Sequence, residues 1–312
     1  MSYPILYTEG LTKRFGSLQA VTDLNLEVSQ GDIYGFLGLN GAGKTTTIRL
    51  LLRLIRPSAG RIRLYGKELT KHYLEIMQNI GSLVEIPAFY PYLSGRANLK
   101  TLSRLSGNYS PTAVQTVLEW VGLISRADDK VRHYSQGMRQ RLGIAQALLP
   151  VATNYDQRIT NNTPLVILDE PTNGLDPQGI ADIRNLIKQL VRSHEVTFFI
   201  SSHLLTEIEL LCNRVGIIKE GKLVKQGLIN ELLGQLSPCF YLVASPKETA
   251  KVLANNFPTC KSVEEKETGE LCIKISPAEV GKLNTYLVQA GVEVSELSLR
   301  KPSLEEYFIS LM

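Results

Sequence analysis

The sequence predicts an α/β fold built on a mostly parallel sheet with an antiparallel edge sheet, followed by a small C-terminal α+β domain. Three observations point there. IYGFL (33–37) is a compact apolar strand that runs into a glycine-rich loop and then an amphipathic segment. LVIL (165–168), VTFFI (196–200) and VGII (215–218) are short apolar strands separated by helix-length stretches such as 178–192, the pattern of a parallel sheet covered on both faces. After Leu236 the texture changes, and shorter strands alternate with helical segments that open near prolines.

In chain order, residues 1–30 read as short alternating strands with turns at Gly10, Gly16 and Gly31, the antiparallel edge. The segment after the glycine loop places Ile48, Leu51, Leu52 and Ile55 at helical spacing, with Arg49, Arg53 and Arg56 on the opposite face and Pro57 as the stop. IIKEGKLV reads as a hairpin turning at Glu220 and Gly221. Beyond it, FYLVA, a helix from about Pro246, ELCIKI, a helix from about Pro277, and VEVSELSL compose the second domain. The expected division is residues 1–235 and 236–312, with no internal repeat.

The 312 residues carry 44% hydrophobic and 21% charged side chains, an ordinary globular composition. A formal charge of +4 is too weak to argue for a nucleic-acid partner. The segment after Leu236 holds 8 Lys and Arg against 10 Asp and Glu, a net of −2, leaving +6 on the remainder. MSYPILYTEGL lacks the basic head and apolar stretch of a secretory signal, and no apolar run approaches the roughly 18 to 20 residues that span a bilayer. The expectation is a soluble or peripheral protein. Cys212, Cys239, Cys260 and Cys272 show no CxxC spacing and are read as reduced cytosolic thiols.

GLNGAGKT (38–45) matches G-x-x-x-x-G-K-[ST] in full and sits between a strand and a helix, the context that motif needs. Gly38, Asn40, Gly41, Ala42, Gly43 and Thr46 form the loop and its exit, where backbone N–H groups converge on phosphates and a helix N-terminus adds partial positive charge. Lys44 is expected to hold the β- and γ-phosphates, and Thr45 to ligate Mg²⁺. LVILDE (165–170) delivers Asp169 and Glu170 at the C-terminal end of a buried strand, where open α/β sheets bind ligands. Asp169 is assigned to Mg²⁺ through water, and Glu170 to orienting or deprotonating the attacking water.

YSQGMRQRLGIAQALL (134–149), LDEPTNGLDP and SSH (201–203) follow in order. Over about residues 3–230 the chain resembles the ATP-binding-cassette (ABC) family of P-loop ATPases. That resemblance implies a helical subdomain, ATP and Mg²⁺ as ligands, and a dimer in which Ser135 and Gly137, just before a helix, face the γ-phosphate held by a second copy. It also implies that Asp176 lies at the same interface, that His203 contacts the γ-phosphate within one copy, and that Phe15 in TKRFG stacks on adenine; an ordinary core phenylalanine is the other reading of Phe15.

The signature reads YSQGM, so Gln136 stands where the family usually has glycine and Met138 where it has glutamine; Ser135 and Gly137 are kept. PVATNYDQRITNNTP, between Leu149 and Leu165, is a longer polar connection than usual and reads as a surface loop. In GSLVEIPAFYP (81–91) the family's usual glutamine is Glu85. Glutamate keeps an oxygen for the metal and the attacking water but adds a charge, whose repulsion from another carboxylate is about 4 kcal/mol at about 4 Å and an effective dielectric of about 20. A divalent ion attracts it about twice as strongly, so Glu85 is assigned to metal and catalysis in a working variant.

GSLVEIPAFYPYLSGRANL, and a tail ending PSLEEYF, are similar to ATP-binding subunits of bacitracin-resistance and lantibiotic-immunity exporters. The resemblance implies an ATP-hydrolysing subunit, peripheral on the inner face of the membrane through a separately encoded permease that docks on residues 85–105, where Phe89, Tyr90 and Tyr92 lie. Packing of those aromatics within the helical subdomain is the competing reading. A soluble ABC ATPase without transport, or a nucleotide-switched interaction protein, are the alternative functions.

Overall fold

The computed structural model describes residues 4–85, 87–105, 110–153, 163–235, 239–266, 269–300 and 302–311. They form two compact units, Met1–Ile229 and Asn230–Met312. The division falls where strand gives way to helix, before the compositional change at Leu236.

The first unit runs β1 (Leu6–Phe15), β2 (Leu18–Leu24), β3 (Glu27–Val28), β4 (Ile33–Leu37), α1 (Lys44–Leu51), β5 (Ala59–Leu64), β6 (Lys67–Glu68), α2 (Tyr73–Met77) and β7 (Ile80–Leu83). It continues with α3 (Gly95–Leu105), α4 (Pro111–Trp120), α5 (Gln136–Thr153), β8 (Leu165–Asp169), α6 (Pro177–His194), β9 (Thr197–Ser202), α7 (Leu205–Leu211), β10 (Arg214–Lys219) and β11 (Lys222–Leu228). One sheet has the order β11-β10-β4-β9-β8-β7, parallel except for the β10–β11 hairpin. Every residue of β4, β8 and β9 is buried, which explains their unbroken apolar letters. Glu220 and Gly221 both take positive φ, the requirement of a tight two-residue hairpin turn.

The antiparallel edge sheet is β2-β1-β5-β6, with β3 also on β1. Gly10 is no turn: it lies inside β1, where the pairing with β5 shifts register between Glu9 and Thr12. One long strand bends there, and its second half pairs with β2. Helix α1 also stops a turn earlier than its apolar spacing suggests, because Arg53 adopts φ 55 and the N–H groups of Leu54 and Ile55 turn back to the Arg49 carbonyl.

Strand β7 has no counterpart in the sequence reading. It pairs with β8 in parallel from Ile80↔Leu165 to Leu83↔Leu168. A Cβ on Gly81 would stand 1.9 Å from the Ala147 carbonyl oxygen, so glycine is what lets α5 pack on this edge strand. Helices α3, α4 and α5 form the helical subdomain. α5 continues through Pro150 to Thr153, taking the first residues of the stretch expected to be a loop; residues 154–162 of that loop lie outside the described residues.

The second unit begins one residue into α8 (Ile229–Gly234) and continues β12 (Cys239–Ser245), α9 (Lys247–Asn255), β13 (Ser262–Glu265), β14 (Leu271–Lys274), α10 (Val280–Gln289), β15 (Glu293–Arg300) and α11 (Leu304–Leu311). The β-α-β-β-α-β run makes an antiparallel sheet of order β13-β14-β12-β15. Phe240, Leu242, Leu271 and Ile273 from the sheet pack with Ala250, Ala254, Leu283 and Leu287 from α9 and α10. β13 and α11 were not anticipated from the sequence.

Candidate nucleotide site

Between β4 and α1 the chain makes the glycine-rich loop. Gly43 takes φ 105, and a Cβ there would stand 2.6 Å from the Ala20 carbonyl oxygen, so only glycine fits. Lys44 is 7% exposed; its ammonium donates to the carbonyls of Gly38 at 2.7 Å and Leu39 at 3.3 Å and pairs with Glu170 Oε1 at 3.2 Å. All three ammonium hydrogens thus have acceptors, two of them in the loop itself.

The loop opens onto a cleft of about 730 Å³ lined by Asn40, Gly41, Gly43, Lys44, Thr45, Thr46, Glu170 and His203, with Phe15 and Ala20 among the residues at its side. Gly38 and Ala42 are not part of that lining. Gly38 accepts Lys44, while the carbonyl of buried Ala42 accepts the Gly221 N–H at 3.0 Å and so ties the loop to the β10–β11 turn. Phe15 is 48% exposed, which removes the core reading and leaves an aromatic face beside the cleft, with the Lys13 ammonium 4.9 Å from its centroid. A buried cation, a glycine-rich loop turning at Gly43 and the N-terminus of α1 converge here, a donor set that fits a polyphosphate.

β8 presents the two acids differently. Asp169, 6% exposed, accepts a 2.5 Å hydrogen bond from Ser201 Oγ on neighbouring β9. Glu170 leaves the strand with φ 49, and its N–H donates to Ser201 Oγ at 3.0 Å. Glu170 Oε2 lies 2.8 Å from His203 Nδ1, so the carboxylate is held between an imidazole and the Lys44 ammonium. Ser201 holds both acids through one hydroxyl; sequence reasoning missed that role, although the parallel register Asp169↔Ser201 makes it geometric.

Ser135 and Asp176 are helix caps. Ser135 Oγ accepts the Met138 N–H at 3.2 Å, and Asp176 Oδ1 accepts the Gly179 N–H at 2.9 Å. Gly137 belongs to the first turn of α5 rather than preceding it, because the helix already starts at Gln136. Ser135, Gly137 and Asp176 together line a second cleft, of about 600 Å³, which shares no lining residue with the Lys44 cleft.

Glu85 lines a third cleft, of about 380 Å³, with Asp169, Glu170, Gln136 and Arg139. Its carboxylate forms an ion pair with Arg49 of α1. Like Glu170 it is a non-glycine residue at positive φ, 66, an arrangement that costs of order 1–3 kcal/mol and clusters at functional positions. Nearby, Asn98 Oδ1 accepts the Tyr90 N–H at 2.9 Å while its amide donates to the carbonyls of Tyr90 and Ser94, fixing the loop between β7 and α3. Tyr90 and Tyr92 are exposed, with centroids 5.8 Å apart, rather than packed in the helical subdomain; Phe89 is half-buried.

No helix among the described residues is long and apolar enough to cross a membrane. A family model for ABC transporters matches residues 21–173. Over 99% of its length, and 97% of the relative's, the chain is 43% identical to the bacitracin transport ATP-binding protein BcrA of Bacillus licheniformis. It is 36% identical to the lantibiotic transport ATP-binding protein SrtF of Streptococcus pyogenes over 70% of this chain and 89% of that one. The solved structure of cbiO1 from Clostridium perfringens, part of the ABC transporter complex cbiONQ, shares the fold, with a TM-score of 0.65 over 82% of this chain and 97% of that one at 24% identity. With its phosphate loop and acidic pair at the ends of parallel strands of one sheet and relatives matched over nearly their whole length, this chain belongs to the ABC transporter family, as one of its ATP-binding proteins.

Proposed function

We propose that two copies of this chain clamp and hydrolyse Mg·ATP between them and drive a separately encoded membrane permease that exports peptide antibiotics. The observation that carries this reading is the separation of the Lys44 cleft from the Ser135–Gly137–Asp176 cleft on one unit, each with anion-binding groups and no lining residue in common. Because the two clefts share no residue, the Ser135 helix tip reaches phosphates held in the Lys44 cleft when a second copy brings it there. The bacitracin and lantibiotic relatives support the transported class, and exposed Tyr90 and Tyr92 support docking of the permease on residues 85–105 from the cytoplasmic face.

Lys44 exchanges its loop carbonyls and Glu170 for β- and γ-phosphate oxygens. Glu170 then keeps His203 as its partner, stays oriented, and takes a proton from the attacking water. Thr45 and Asp169, with Glu85 at the edge, are the residues that would hold Mg²⁺, which when bound neutralises charge on the transferred phosphoryl group. Phe15 stacks on the base.

Glu170→Gln tests the assignment. It is expected to bind ATP, lose turnover by about 10²–10⁴-fold, and shift from monomer to dimer in Mg·ATP by light scattering. Equal, negligible turnover in wild type and variant would favour a nucleotide-switched interaction protein. A variant that stays monomeric with Mg·ATP, alone and with its permease, would refute the paired site.

A further inference from the structure

Glu85 brings a third carboxylate to a cleft already lined by Asp169 and Glu170. The two existing acids have partners of their own, Ser201 for Asp169, and Lys44 with His203 for Glu170. The partner of Glu85 is Arg49, and its placement is dictated by the fold. Arg49 follows Thr45 by four residues on α1, so the two side chains lie on one face, a turn apart. Glu85 follows β7, whose end pairs with the end of β8 through Leu83↔Leu168, so Glu85 and Asp169 leave neighbouring parallel strands at the same edge. The guanidinium therefore reaches Glu85 from the helix that carries the candidate metal-binding hydroxyl. The pair is partly exposed, 43% for Arg49 and 60% for Glu85, so water screens it and the ion pair can open.

We infer that Arg49 is a positioning residue that latches Glu85, and that Glu85 exchanges this guanidinium for Mg²⁺ when Mg·ATP enters, so Arg49 sets how strongly nucleotide binding depends on the metal. The inference rests on the nucleotide-binding reading above. A glutamine at position 85 needs no cationic partner, whereas a glutamate does. Arg49 supplies it, offsetting the charge until a divalent ion competes for the same carboxylate.

The test is a double-mutant cycle read by binding rather than turnover. The affinity of a fluorescent ATP analogue is measured with Mg²⁺ and with EDTA for wild type, Arg49→Met, Glu85→Gln and the double variant, and the ratio of the two affinities is the readout. Freed from its latch, Glu85 in Arg49→Met raises the Mg²⁺ enhancement by about fivefold, whereas Arg49→Met in the Glu85→Gln background changes it by less than about twofold. Arg49→Lys, which keeps the charge, stays near wild type. The same factor in both backgrounds, or no change in either, overturns the inference: the first means that Arg49 acts only as bulk charge, the second that it does not govern Glu85. A wild type that binds the analogue under neither condition refutes the nucleotide-binding reading itself, and the latch with it.

Discussion

Replacing Ser201 by alanine removes one hydroxyl that serves two neighbouring residues of the site. Its oxygen donates to buried Asp169 at 2.5 Å and accepts the Glu170 N–H at 3.0 Å. The Glu170 N–H keeps a long contact to the Ser201 carbonyl at 3.3 Å, so the main loss falls on Asp169. A hydrogen bond to a charged group is worth about 1.5–3 kcal/mol, and the Asp169 carboxylate that loses it is only 6% exposed. For a unit of this size each kcal/mol moves the midpoint by about 2–4 °C, so Ser201→Ala should melt about 3–12 °C below wild type. Scanning calorimetry on the full chain without nucleotide reads the shift. Ser202→Ala is the comparator, since its hydroxyl accepts only the neutral Leu204 N–H at 3.0 Å and its loss should cost about 1 kcal/mol. A Ser201→Ala midpoint equal to wild type, or no lower than that of Ser202→Ala, refutes the idea that this serine holds the acids.

Phe15→Ala should weaken nucleotide affinity by about 1–3 kcal/mol, the range for losing an aromatic stacked on a base, with an unchanged melting temperature because the ring is exposed; unaltered affinity by fluorescence titration would remove Phe15 from the site. Gly174→Ala puts a side chain at φ +74 and 2.6 Å from the Gln136 amide nitrogen, so it should cost more than 1 kcal/mol or so in denaturant unfolding; Gln136→Gly in the same chain should recover only the part due to the clash. In the second unit, Lys247 and then Lys251 hold the Glu265 carboxyl down to about 2. Because that value lies below the ordinary 4.5, the pair's contribution is present in full above 4.5 and is lost as pH falls through about 2. Lys247→Met should raise the Glu265 titration midpoint seen by NMR, and a midpoint already at the ordinary value in wild type would contradict the contact.

Much of this molecule is legible because buried parallel strands write themselves as unbroken apolar words. IYGFL, LVIL and VTFFI became β4, β8 and β9, and the glycine loop follows its strand as its motif requires. β7 escaped because its letters, IGSL, include a glycine and a serine, and what makes it a strand is tertiary: α5 lies so close that Gly81 has no room for a side chain. Gly10 misled for a related reason, since a glycine between apolar runs marks a turn or a bent strand equally well until the partners on either side are known. Among the site residues, Lys44 and Glu170 were readable from motifs, whereas Ser201 and Arg49 act through neighbours that topology alone supplies.

The charge arrangement explains why a glutamate at position 85 leaves the nucleotide-free site intact. Three acids leave the ends of β7 and β8, and the chain answers each separately: Ser201 for Asp169, Lys44 and His203 for Glu170, Arg49 for Glu85. Lys44 and Arg49 both come from α1, one helical turn and a little more apart, so a single rigid element carries both compensating cations. In the mechanism proposed above, phosphates draw Lys44 from Glu170 and a divalent ion competes with Arg49 for Glu85, so the ligands that use the two carboxylates are the ones that release them. A glutamine could not take part in the second exchange, having no charge to hold or to release. Glu85 is thus one half of an ion pair whose other half stands four residues past Thr45, and the two have to be altered together for either role to be understood.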